Sequence, residues 1–233
     1  MRLVHASAVA VTVALFIPAI QVRAQQPAAA PAAQDADRKV AGGGITAKGW
    51  QGKVDANNKQ GLTITDSKFA SEGSGFHITT GPAAAYWNPA NTAKGDYTVK
   101  ATFREPKQTY NHPHPFGVFI AGKALDTDQP SMLYCVAYRD GTFLVRQFSG
   151  GTVTTVSRKG PNDAVAKASG PEAEVTQEVG WTVKGGKAEC AINGKVVYTT
   201  DPATVKLDST DGIYGIRTSH NSDVFVTNFG MAK

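Results

Sequence analysis

The chain reads as an all-β protein built as one sandwich or barrel, and three observations carry that reading. Apolar and polar residues alternate with a period of two through most of the chain after Gly44, as strands with one buried and one wet face require. Turn signals punctuate these runs at a spacing of roughly 8–12 residues. Beyond the first two dozen residues no apolar stripe of helical period appears.

Taken in order, the chain opens with an export segment. Arg2 gives a short positive start, an apolar run follows from Val9 to Ile20, and Val22-Arg23-Ala24 supplies the small residues that signal peptidase reads. The run is short for a membrane span. Residues 1–24 are therefore expected to be a signal peptide, with Gln25 as the mature N-terminus and an uncleaved anchor as the alternative. The expected compartment is periplasmic or extracellular, with no membrane span after cleavage. Gln25 to Gly44, rich in Ala, Pro and Gly, buries little and reads as a disordered tether. Residues 45–233 then form a single β-sandwich domain, with enough chain for a sizeable core.

Within it, Leu62–Thr65, Phe76–Thr79 and Tyr97–Phe103 alternate cleanly, while Phe116–Ile120 and Met132–Tyr138 are more continuously apolar, like central strands. Phe143–Phe148, Val153–Val156, Trp181–Val183, Ala188–Ile192, Val196–Thr199, Gly212–Arg217 and Val224–Phe229 continue the series. Asp140-Gly141 and Asn193-Gly194 are signals for type I′ hairpins. Ser149-Gly150-Gly151 and Lys184-Gly185-Gly186 mark further turns, and residues 162–173 read as a long loop with room for one helical turn.

The formal charge of +5 falls to +3 once Arg2 and Arg23 leave with the signal. With no dense Lys/Arg cluster, nucleic acid is not an expected partner. Cys135 and Cys190 both sit in apolar strand-like runs, so a disulfide and two buried free thiols both fit.

The succession of Gly49-Trp50, Gly95–Phe103, His112–Gly122, Tyr134–Gly141, Ile192–Val197, Asp211–Arg217 and Val224–Phe229 resembles secreted bacterial domains of the concanavalin A-like lectin/glucanase fold. Within that fold it resembles the 3-keto-disaccharide hydrolase-like domains and their uncharacterised relatives. The resemblance implies a jelly roll of two curved antiparallel sheets, with ligands across the concave sheet or on its edge loops. It does not by itself supply a function.

Two polar segments are the most distinctive. In Asn111-His112-Pro113-His114-Pro115, prolines stiffen a loop whose histidines, two apart, can face one way. They could contact a ligand, or simply cap strand ends. A zinc site would need a further ligand, and none is evident nearby in the sequence. Arg217–Asp223 is a polar turn in which Arg217, His220, Asn221 and Asp223 could grip sugar hydroxyls or a carboxylate, or could merely bond their own backbone. Convergence of His112, His114 and His220 in space would strengthen a metal reading.

Arg139 and Arg146 flank the Asp140-Gly141 turn. Facing a ligand they would be sugar contacts, with Tyr134 and Tyr138 as stacking platforms; otherwise they form a cross-strand ion pair. Asp126 and Asp128 make a thin case for calcium. No carboxylate pair of the glycosidase kind, nucleophile elbow, P-loop or dinucleotide fingerprint is present. The leading expectation is a carbohydrate-recognition domain without metal or organic cofactor. The alternatives are a glycoside-cleaving enzyme acting on keto-sugars, with His112, His114 or His220 as base, and a module that binds another envelope protein.

Overall fold

The computed structural model describes residues 36–56, 58, 60–201 and 203–232. The expected signal peptide and the first part of the tether lie outside the described residues. The strands are β1 (Gly44–Ile45), β2 (Gln51–Val54), β3 (Lys68–Glu72), β4 (Gly75–Thr79), β5 (Ala84–Ala93), β6 (Tyr97–Glu105), β7 (Phe116–Lys123), β8 (Ser131–Ala137), β9 (Thr142–Ser149), β10 (Thr152–Pro161), β11 (Val175–Lys184), β12 (Lys187–Ile192), β13 (Lys195–Thr199), β14 (Gly212–Thr218) and β15 (Asp223–Met231).

They form two sheets. The larger runs β1-β3-β4-β15-β6-β11-β12-β13 and the smaller β10-β9-β8-β7-β14-β5-β2. Every pairing is antiparallel except the short β1–β3 contact. Alternation along β6 buries Val99, Ala101 and Phe103 against Phe116, Val118 and Ile120 of β7, so the core lies between the sheets. Trp181 of β11 is fully buried there and donates its indole N–H to the Val118 carbonyl at 3.0 Å, tying one sheet to the other. Cys135 of β8 and Cys190 of β12 are joined by a disulfide across the same interior. The all-β sandwich expected from the periodicity, and the jelly roll that the resemblance implied, are the fold observed.

Three paired turns have the expected chemistry. Gly150-Gly151, Gly185-Gly186 and Asn193-Gly194 each place both residues at positive φ, which matches the twist of their hairpins. Asp140-Gly141 departs from expectation, since only Gly141 has positive φ, at 86°. The Asp140 carboxylate instead accepts from the Thr142 N–H at 3.1 Å and from its hydroxyl, shaping a wider turn.

Leu62–Thr65 is not a strand. Thr63 caps a 3-10 turn over Ile64–Asp66, and the Asp66 carboxylate reaches back to the Thr63 N–H at 2.8 Å. This reciprocal capping outweighs the alternating pattern. Strand β5 escapes sequence reading because it is Ala-rich and contains Pro89. The structure places Pro89 between the residues that pair with Gly215 and Ile213, in an irregularity where a missing N–H costs no ladder bond.

The last part of the expected tether belongs to the domain. Arg38 donates from its backbone N–H to Asn221 Oδ1 at 2.9 Å, from Nε to the Thr80 carbonyl at 2.8 Å and from Nη2 to the Ser222 carbonyl at 2.7 Å. Val40 donates to the Asp66 carbonyl at 3.1 Å. Composition alone concealed this anchoring, which rests on one arginine and backbone hydrogen bonds rather than on apolar burial.

Candidate functional site

The candidate residues separate into two places, with three others drawn into the structure elsewhere. The first place is the outer face of the smaller sheet. Side chains alternate along each strand, so Tyr134 and Val136 of β8, Leu144 and Phe148 of β9 and Trp87 of β5 point away from the core and form a second apolar cluster. Tyr134 lies opposite Arg146 in the β8–β9 register. Its ring centroid is 5.9 Å from that of Phe148. The Arg217 guanidinium, projecting from β14, sits 5.2 Å from the Tyr134 ring and 5.6 Å from the Phe148 ring.

Arg217 is buried, and its Nη2 donates to Asp55 Oδ2 at 2.5 Å. Burial alone would lower the guanidinium pKa, but the Asp55 carboxylate and the Tyr134 phenol more than offset this and raise it. Arg217 Nη1 has no hydrogen-bond partner among the described residues. Arg146 is only half-buried and its Nε donates to Thr155 Oγ1 at 3.3 Å. Tyr138, also half-buried, lies beneath the Lys159 ammonium at 4.1 Å from its ring, and burial pushes its phenol up to about 12. Next to this face a cleft opens between Lys53 and Asp55 on one side and Leu125, Met132 and Phe148 on the other. Lys53 bridges its rim, donating to Asp128 Oδ1 at 2.8 Å and to the Asp126 carbonyl at 3.1 Å. A lysine thus engages the acidic loop considered above for calcium.

The second place is one end of the sandwich, where the segment leading into β7 meets the β14–β15 turn. Ser219 N–H donates to the Pro115 carbonyl at 2.9 Å, and Thr109 Oγ1 donates to the Asn221 carbonyl at 2.7 Å. These bonds bring His112, His114 and His220 together. Their ligating nitrogens all lie within 4.8 Å of one another. The His114 ring centroid is 4.5 Å from each of the other two, and His112 and His220 are 6.4 Å apart. His114 is buried and His112 exposed, so the group opens to solvent on the His112 side. His220 Nδ1 is 2.6 Å from Asp37 Oδ1, and His112 Nδ1 is 2.8 Å from Asn111 Oδ1.

Three expected ligand contacts have other roles. Arg139 is buried at the core side of the sheet. It lies 3.2 Å from Glu105 and donates to the carbonyls of Gly170, Pro171 and Ala173, clamping the long loop. Asn221 is fully buried at φ 53°, and its amide accepts from Arg38 and donates to the Ala36 carbonyl at 3.0 Å. Asp223 faces the outside of the larger sheet, where it accepts from His77 Nε2 at 2.6 Å. Asp37, Asp55 and Trp87 escaped sequence reading. Asp37 lay in the expected tether, Asp55 in an unassigned stretch, and Trp87 in the unrecognised β5.

The architecture defines a class, the two-sheet antiparallel jelly-roll sandwich. No protein-family model matches the sequence, and no sequence match to a curated protein is found. Among solved structures, the chain is similar to the carbohydrate-binding module CBM66 from Bacillus subtilis, with TM-score 0.55 and 10% identity over 81% of this chain and 98% of that one. It is also similar to a protein of unknown function with a galectin-like fold from Bacillus subtilis, with TM-score 0.52 and 13% identity over 78% of this chain and 88% of that one. At these identities the likeness is one of fold.

Proposed function

We propose that the chain is an exported carbohydrate-binding domain that holds a saccharide against the outer face of the smaller sheet. One observation carries the reading: Tyr134 of β8, Tyr138 just after it, Arg146 of β9 and Arg217 of β14 share one face of the smaller sheet with a cluster of buried aromatic and aliphatic side chains. A sugar ring presents C–H groups to such a floor and hydroxyls to its rim. Arginine donors and the Asp55 acceptor supply the directed hydrogen bonds that select among hydroxyl arrangements. Arg217 Nη1 is buried without a hydrogen-bond partner among the described residues. The same jelly-roll fold in CBM66, a carbohydrate-binding module by name, supports the choice of ligand class. Export is supported by the Arg2 to Ala24 pattern and by a disulfide of the kind that persists in oxidising compartments.

The test is calorimetric titration against a panel of oligosaccharides, without and with Arg146→Ala and Tyr138→Ala. These half-buried residues can be truncated with less risk to the fold than Arg217. Either change should weaken binding about tenfold, equivalent to about 1.4 kcal/mol. Binding to no sugar, or binding that both variants leave unchanged, would refute the proposal. Recovery of Gln25 as the N-terminus from exported protein tests the address.

The convergence of the three histidines favours a second reading, glycoside cleavage of keto-sugars at that end of the sandwich. Sugar release from a 3-keto-glycoside that His220→Ala abolishes would support it. Unchanged turnover in that variant, or no turnover by the parent chain, would dismiss it.

A further inference from the structure

We infer that His112, His114 and His220 form a binding site for a first-row transition-metal ion of the zinc type, with one coordination position open to solvent. The inference is independent of the saccharide face. It rests on four features of the group.

The donor set is right. Neutral imidazole suits Zn²⁺, and three histidines plus an open position form a recurrent zinc arrangement. The spacing is within reach. Around a tetrahedral ion with bonds of about 2.0–2.1 Å, donor atoms sit about 3.3 Å apart. Here they lie within 4.8 Å before any ion draws them in. Closing that gap falls to His112, whose exposed side chain can rotate, while buried His114 and turn-held His220 provide a fixed base.

The outer contacts are also right. Metal-bound histidines characteristically donate their second ring N–H to a carboxylate or carbonyl, which fixes the ring and its tautomer. His220 meets the Asp37 carboxylate at 2.6 Å and His112 meets the Asn111 amide oxygen at 2.8 Å, in both cases through Nδ1. Both rings therefore keep Nε2 available as the ligand atom. Finally, the scaffold is braced. Asp37 stands next to Arg38, whose hydrogen bonds to Asn221 and Ser222 fasten the N-terminal segment to the very turn that carries His220, with a third bond to the Thr80 carbonyl. This gives the anchoring of residues 36–40 a purpose beyond stability: it delivers the carboxylate that orients a ligand.

The experiment uses the full chain, purified without a polyhistidine tag and stripped with chelator, then titrated with Co²⁺ and Zn²⁺. One equivalent of Co²⁺ should bind and give the visible absorption of a tetrahedral or five-coordinate site, and Zn²⁺ should displace it. His112→Ala, an exposed change that leaves the fold intact, should lose the stoichiometric site. Asp37→Asn should weaken affinity by about 10–100-fold while keeping the one-to-one stoichiometry. His77→Ala, on the outer face of the other sheet, should leave binding unchanged. Absence of stoichiometric binding by folded parent protein would overturn the inference, as would binding that His112→Ala leaves intact. Neither result bears on sugar binding, which Arg146→Ala tests separately.

Discussion

Removing the Cys135–Cys190 bridge should lower stability steeply. Both sulfurs are completely buried, and the bridge joins β8 of the smaller sheet to β12 of the larger across a sequence separation of 55. Cross-linking a loop of that length removes denatured-chain entropy worth about 4 kcal/mol. For a domain of this size each kcal/mol moves the melting temperature by about 2–4 °C, so the bridge accounts for about 8–16 °C. The assay is thermal unfolding followed by circular dichroism for the oxidised protein, for protein reduced after unfolding, and for Cys135→Ala/Cys190→Ala. The reduced and double-Ala forms should melt at similarly lowered temperatures. A drop below about 3 °C in both would show that the sheets hold together without the cross-link and would refute the entropic reasoning. The same experiment connects to compartment: protein made under reducing conditions should behave as the destabilised form until it is oxidised.

Further consequences follow from the buried polar groups. Burial raises the Glu105 carboxyl from 4.5 to about 7, with Arg139 pulling down and Asp223 pushing up. Because the folded-state value is raised, the contribution of this group is fully present below the unfolded value and is lost as pH rises through about 7. Denaturant titrations at pH 5 and pH 8 should differ in that direction by on the order of 2–3 kcal/mol, and Glu105→Gln should flatten the difference. Arg139→Ala should cost about 3–5 kcal/mol, since it strands a buried carboxyl and releases three loop carbonyls, and the loop at 162–173 should become sensitive to protease. Asn221→Gly tolerates the positive φ and deletes the side chain with its amide. It should cost about 1–3 kcal/mol and expose residues 36–44 to limited proteolysis.

The fold was largely legible because it depends on local pattern. Strands β6, β7, β8, β9 and β12 declare themselves by alternation or by apolar runs, and Asn193-Gly194 by its backbone preference. What stayed hidden depends on partners remote in sequence. Strand β5 has no alternation to read and is a strand because β14 and β2 pair with it. Leu62–Thr65 carried the right period and lost to a capping interaction three residues long. Among site residues, sequence could nominate His112, His114 and His220 as polar turn residues, but their convergence needs two loops to be laced at Ser219 and Pro115. Arg139 and Asn221 looked equally chemical and proved to be buried braces, because sequence shows residue type and not which side of a sheet or turn a side chain takes. Asp37, 183 residues from the histidine it orients, gave no sequence signal at all.

Whether a saccharide rests on the outer face of the smaller sheet is read from backbone amide shifts during titration with the tightest-binding oligosaccharide. Perturbations should concentrate at β8, β9 and β14, around Tyr134, Arg146 and Arg217, and be greatly reduced in Arg146→Ala. Perturbations confined to the larger sheet or to the histidine end, or none with any sugar, would contradict it.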